Sequence, residues 1–247
     1  MHERLERFQQ SKVGTFLREH HLYALLLTGV YYGFMAAIYF FTSHVNQNVH
    51  YIHMEIDSQI PYIKYFIVLY YTYYVMPEIL LWRLAYKDKD RFRRMMVSFF
   101  LVDIIANIIF LCYNVKMVRE SSVDITMGIK DIHSFDQVFD YLVAVIYRAD
   151  KEGVCCFPSL HAALGTLLVL LPFAKEKEKR LHPALTVLAL ISGFGCILAT
   201  VFIKQHYFID VIAGILLSLT VYLLVILLDR VYRKRKPCPI DYSGTEL

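Results

Sequence analysis

Two short stretches of this chain place reactive side chains beside long apolar runs: Pro158-Ser159-Leu160-His161 and Lys204-Gln205-His206-Tyr207-Phe208-Ile209-Asp210. His206 and Asp210 are four residues apart, so a helix would put them on one face within hydrogen-bond reach. A carboxylate on one imidazole nitrogen fixes the tautomer and raises the basicity of the other, making the ring a base or a nucleophile. His161 follows a proline and a serine that suit a helix start, with Ser159 as N-cap. A helix start offers free amide N–H groups to an anion. Ser159, those amides and Lys204 therefore form a candidate phosphate cradle, with His161 as proton donor to a leaving oxygen. Each stretch alone is weak, because a cap, a metal pair or a snorkelling lysine would explain it. Both together, at one face of one chain, point to chemistry at a membrane surface.

The elements that must carry these residues are hydrophobic helices. The chain has 247 residues, of which 57% are hydrophobic and only 19% charged, too few charges for a soluble domain. A bilayer-spanning helix needs about 20 mostly apolar residues. Six segments qualify: 22–41, 62–84, 95–112, 159–175, 184–202 and 207–228. The first lacks a small-residue cleavage pattern and reads as a retained span. Pro77 predicts a kink near Met76. The expected fold is all-α: a single membrane domain over 1–247 with six transmembrane helices. An interfacial helix is expected at the N-terminus. An amphipathic helix on Phe135, Val138, Phe139, Leu142, Val145 and Ile146 is expected to lie on the outer face.

Most of the 26 lysines and arginines fall in four clusters: 4–18, 83–94, 175–180 and 230–236. The positive-inside rule then puts both termini in the cytoplasm and opens spans four and six from the outer side. His161, His206 and Arg119, just past span three, all land on that face. Glu78 and Asp103 lie within spans and read as structural. The formal net charge of +4 sits mainly in the cytoplasmic clusters and indicates anionic lipid, not nucleic acid, as the partner. The five cysteines show no zinc spacing and are assigned no role.

Phe157-Pro158-Ser159-Leu160-His161-Ala162 and His206-Tyr207-Phe208-Ile209-Asp210 resemble the second and third signature motifs of the type 2 phosphatidic acid phosphatase superfamily, which includes lipid phosphatases and inositol phosphorylceramide and sphingomyelin synthases. The resemblance covers about 57–231. It implies that His206 attacks phosphorus to form a phosphohistidine, that Asp210 orients His206, and that His161 protonates the leaving alcohol. Water or another alcohol would then take the phosphoryl group, with no metal or other cofactor. Arg119 maps onto the arginine of the first motif. Ala199 and Thr200 stand where the family's phosphatases carry Ser-Arg, and Lys204 is the nearest replacement charge. Leu160 and the run Asp57-Ser58-Gln59-Ile60-Pro61 look more like the phosphotransferase branch.

The expected activity is an integral membrane lipid phosphatase, with a bacterial plasma membrane as the compartment and the site on its outer face. The alternatives are a lipid phosphotransferase, a non-catalytic lipid carrier, and a metal transporter using His44, His50, His53 and His206.

Overall fold

A computed structural model describes residues 21–45, 48–173 and 180–235, together with Thr15 and Glu19. The interfacial helix expected at the N-terminus lies, apart from those two residues, outside them. The described residues form eight α-helices: α1 (Leu22–Val45), α2 (Glu55–Gln59), α3 (Ile67–Lys87), α4 (Lys89–Cys112), α5 (Phe135–Ala149), α6 (Leu160–Leu170), α7 (Pro183–Phe202) and α8 (Phe208–Arg235). Two-residue strands β1 (Val49–His50) and β2 (Asn114–Val115) pair in parallel.

Among the described residues, four helices are long and apolar enough to cross a membrane: α1, α4, α7 and α8. Their outer surfaces expose Val30, Phe40, Ile191, Phe194, Leu216 and Leu223, as contact with lipid tails requires. The segment expected over 62–84 begins later, at α3. A 3-10 turn over Lys64–Phe66 precedes it, and Lys64 Nζ is held 2.6 Å from Asp136 and 2.8 Å from Asp140 of α5. The helix continues through Pro77. The segment expected over 159–175 is only eleven residues of helix, because Pro172 has no N–H to extend the ladder past Leu171. Short as it is, α6 is apolar and buried along Ala162–Leu168 between its neighbours, so it needs no lipid contact of its own.

Capping explains the other boundary shifts. The Asp88 carboxylate accepts the Arg91 N–H and starts α4 six residues earlier than expected. At its far end α8 runs on through the basic tail. Asp229 there binds Arg233 one turn on, and Arg94 of α4 at 3.0 Å. This basic cluster and the start of α8 are separated by most of that helix, roughly 40 Å at 1.5 Å per residue.

The amphipathic helix expected near 135–146 is α5. Its buried face keeps part of the expected stripe: Ile146 is buried with Val143, Ala144 and Tyr147, and Phe139 and Leu142 pack against this cluster, while Phe135 is 80% exposed. The Tyr147 hydroxyl on this face donates to the Ile203 carbonyl at 2.9 Å, at the end of α7.

Candidate functional site

Three backbone segments are stitched together at the end of the bundle where α6 and α8 begin. Lys116 N–H donates to the His50 carbonyl at 2.9 Å, Met117 N–H to Gly153 at 2.8 Å, and Cys156 N–H to Val115 at 3.1 Å. The buried Asn114 amide oxygen accepts the Cys155 N–H at 2.8 Å. Cys155 and Lys204 adopt positive φ (58° and 52°), a conformation that only surrounding structure sustains in non-glycine residues.

Ser159 is the N-cap of α6. Its hydroxyl accepts the Ala162 N–H at 3.2 Å, and its own N–H donates to the Asp210 carbonyl at 2.9 Å. The start of α6 is thus tied to the first turn of α8. A Cβ on Gly214 would lie 2.3 Å from the Ser159 carbonyl, so only glycine lets the two backbones approach so closely. His161 and His206 come from different helices, yet their ring centroids are 5.7 Å apart.

His206 lies in the turn before α8, not on the helix. Its Nδ1 is 3.0 Å from the Cys156 carbonyl oxygen. A carbonyl only accepts, so Nδ1 carries the proton and Nε2 the free lone pair. Burial, then the charge of Arg119, lowers its pKa from the ordinary 6.5 to about 4, which keeps the ring neutral near neutral pH. Asp210 Oδ2 is 3.7 Å from Nδ1, beyond hydrogen-bond length, and accepts the Tyr207 N–H at 2.9 Å. That is half of a capping box, with the carboxylate reaching back one turn to the amide at the helix start. The i, i+4 spacing therefore does not make the direct bond a regular helix would allow.

His161 Nε2 is 2.7 Å from the Tyr70 hydroxyl, and the ring packs against Tyr70 and Tyr73 of α3. A cavity of about 210 Å³ opens beside both imidazoles. Its far wall is apolar and aromatic, with Met35, Ala36, Tyr73 and Ile146; Asp150, Gln205 and the histidines form the polar wall.

Arg119 donates from Nη2 to Asp150, whose other carboxylate oxygen accepts the Tyr39 hydroxyl at 3.0 Å. Its Nε and Nη1 are buried with no partner. Burial disfavours its charge, but Asp150 outweighs that and raises its pKa. Arg119 and Lys204 line a second, more polar pocket with Asp57 and Tyr207. The Lys204 ammonium donates to the Asp57 carbonyl at 3.0 Å and to that of Ile60, which anchors the 57–60 segment over the start of α8. Asp57 Oδ1 in turn accepts the Phe208 N–H at 2.7 Å.

The structure thus brings His161 and His206 to one cavity, with Ser159 and Asp210 buried behind them. It sets Lys204 on backbone carbonyls instead. The four histidines of the metal alternative do not converge: His44 sits on the Phe40 carbonyl, His50 stacks on Tyr113, and His53 faces Ser58. Among the described residues no three His, Cys, Asp or Glu side chains cluster as metal ligands. Sequence reasoning missed Tyr70, Asp150 and the Cys156 carbonyl. The run of hydroxyl-bearing rings at Tyr70, Tyr71, Tyr73 and Tyr74 was the one available signal, since such polar groups inside an apolar helix need partners.

A bundle of described helices, four of them able to cross a membrane, with two imidazoles facing one cavity at one end, has the make-up of a helical integral membrane protein. The chain belongs to the PAP2 superfamily, whose family model matches residues 43–224. That superfamily comprises phosphoesterases and phosphotransferases, and membership supports a phosphatase-like, lipid-related function. No curated protein and no solved structure matches the chain significantly.

Proposed function

We propose that this protein is an integral membrane lipid phosphatase that acts through a phosphohistidine on His206. The observation that carries the reading is the pair of imidazoles 5.7 Å apart on one cavity wall, one of them with its tautomer set by a backbone carbonyl. The Nε2 lone pair of His206 attacks phosphorus while the bond to the lipid oxygen breaks. His161 gives that oxygen a proton. In the imidazolium form Nε2–H donates to the Tyr70 oxygen, and the proton given up is the one at Nδ1, a buried atom with no partner in the protein, which leaves a neutral ring. Water then attacks the phosphohistidine, His161 accepts its proton, and inorganic phosphate leaves. Asp210 acts at one remove: its carboxylate holds the Tyr207 N–H beside His206, and its carbonyl holds the start of α6. The unpartnered Nε and Nη1 of Arg119 are suited to phosphate oxygens.

In this reading α3 and α6 complete a six-helix membrane domain, with α6 sheltered from lipid. The basic cluster around Arg94 and Arg233 faces the cytoplasm, so the site at the opposite end of α8 faces outward. One observation favours a second reading, transfer of the phosphoryl group to an alcohol: the chamber beside the histidines is walled mainly by apolar and aromatic side chains, which disfavour water.

Purified protein assayed against phosphatidate, phosphatidylglycerophosphate and polyprenyl pyrophosphate tests the proposal. Inorganic phosphate release that depends on His206 is the expected result. A new phospholipid without phosphate release selects transfer, and turnover that survives His206→Ala overturns the catalytic assignment.

A further inference from the structure

The residue before His206 carries an unmet hydrogen bond. Gln205 is 3% exposed, and its Nε2 has no partner. The buried amide of Asn107, by contrast, is satisfied: its Nδ2 donates to the Asp103 carbonyl at 2.9 Å and carboxylate at 3.2 Å. The backbone here is fixed, because the N–H groups of Gln205 and His206 both donate to the Thr200 carbonyl, at 2.8 and 3.1 Å. Gln205 lines the same cavity as His161 and His206, and is the chain neighbour of His206. A buried amide N–H left unpaired lowers stability, so folding alone would favour an apolar side chain here.

We propose that Gln205 is a substrate-binding residue. Its Nε2 donates to a non-bridging oxygen of the phosphoryl group seated between His161 and His206. This rests on the phosphohistidine reading above and adds a role outside the three motif residues. Two other polar groups lining this cavity are committed: Asp150 is an acceptor held by Arg119 and Tyr39, and the Tyr70 hydroxyl is held by His161. Gln205 supplies a neutral donor where negative charge spreads over the equatorial oxygens.

The test uses the full chain in lipid nanodiscs, with orthovanadate as the phosphate mimic. Affinity is read from the vanadate-dependent rise in melting temperature. Gln205→Leu should melt at or above the wild-type temperature without vanadate, and bind vanadate about 10-fold more weakly. Gln205→Glu, which replaces the donor with a charged acceptor, should bind it more weakly still. If the leucine variant does not fold, Gln205→Met carries the same comparison. Wild-type vanadate affinity in the leucine or methionine variant overturns the proposal, as does a wild-type chain that binds no vanadate. A wild type that releases phosphate from no lipid, yet binds vanadate through Gln205, removes the phosphatase reading and leaves this anion site standing. Full phosphate release with unchanged KM in Gln205→Leu removes the site and leaves the phosphatase.

Discussion

The Tyr70 hydroxyl on α3 lies 2.7 Å from Nε2 of His161 on α6 and joins two helices with no motif in common. This bond orients an imidazole whose other nitrogen has no protein partner. Tyr70 touches no reacting atom in the proposed scheme; it positions the proton donor. Tyr70→Phe keeps the ring and its packing and loses only the hydroxyl. The expected result is a kcat about 10-fold lower with KM unchanged. A matched rise in KM with kcat intact would assign Tyr70 to substrate binding instead.

His206→Ala should lower phosphate release by about 10³-fold or more, since it removes the attacking atom. His161→Ala should spare the attack more when the leaving group needs no proton. A lipid-like p-nitrophenyl phosphate ester should therefore show a smaller loss than an alkyl phosphate. Equal losses on both substrates would argue against a proton-donor role for His161.

Acid pH separates His206 from an ordinary histidine. Its pKa is lowered by burial to about 4, so the neutral, attacking form persists well below pH 6.5. The acid limb of kcat/KM contributed by His206 is expected near pH 4 to 5, and a limb at 6.5 would contradict it. The same shift acts on stability. Between about pH 6.5 and 4 the unfolded chain binds a proton that the folded chain does not. This contribution is therefore present above pH 6.5 and is lost as pH falls towards 4. His206→Gln should flatten that part of a melting-temperature profile.

Arg119 offers two unpartnered nitrogens, Nε and Nη1, while its third holds Asp150. Arg119→Lys keeps the charge but not the fork, and should raise KM about 10-fold. Asp150→Asn weakens the hold on the guanidinium and should raise KM as well, without removing any group that meets phosphate. Unchanged KM in both variants would place the phosphate elsewhere.

Gly214→Ala puts a methyl group against the Ser159 carbonyl, 2.3 Å from its ideal Cβ position. The helices must separate, at a cost of about 1–3 kcal/mol. Because Ser159 caps the helix that carries His161, activity should fall further than the melting temperature alone predicts. A variant that is merely less stable, with full activity well below its melting point, would uncouple this contact from the site.

The pattern of residues by itself determined the helical membrane class and the two motifs, because apolar run length and reactive side chains beside it are local properties. It located the starts of α1, α7 and α8 to within about a residue, and it singled out His161, His206 and Asp210 before any contact was known. What lay beyond it came from groups with no distinguishing side chain or with distant partners. The Cys156 carbonyl that sets the His206 tautomer is backbone, and every residue has one. Tyr70 meets His161 across 91 positions of sequence. Lys204 beside a histidine reads as a phosphate ligand, but a positive-φ turn directs its ammonium to the Asp57 and Ile60 carbonyls. Hydrogen-bond partners depend on direction as well as proximity, and only the packing of α3, α6 and α8 against one another fixes the directions.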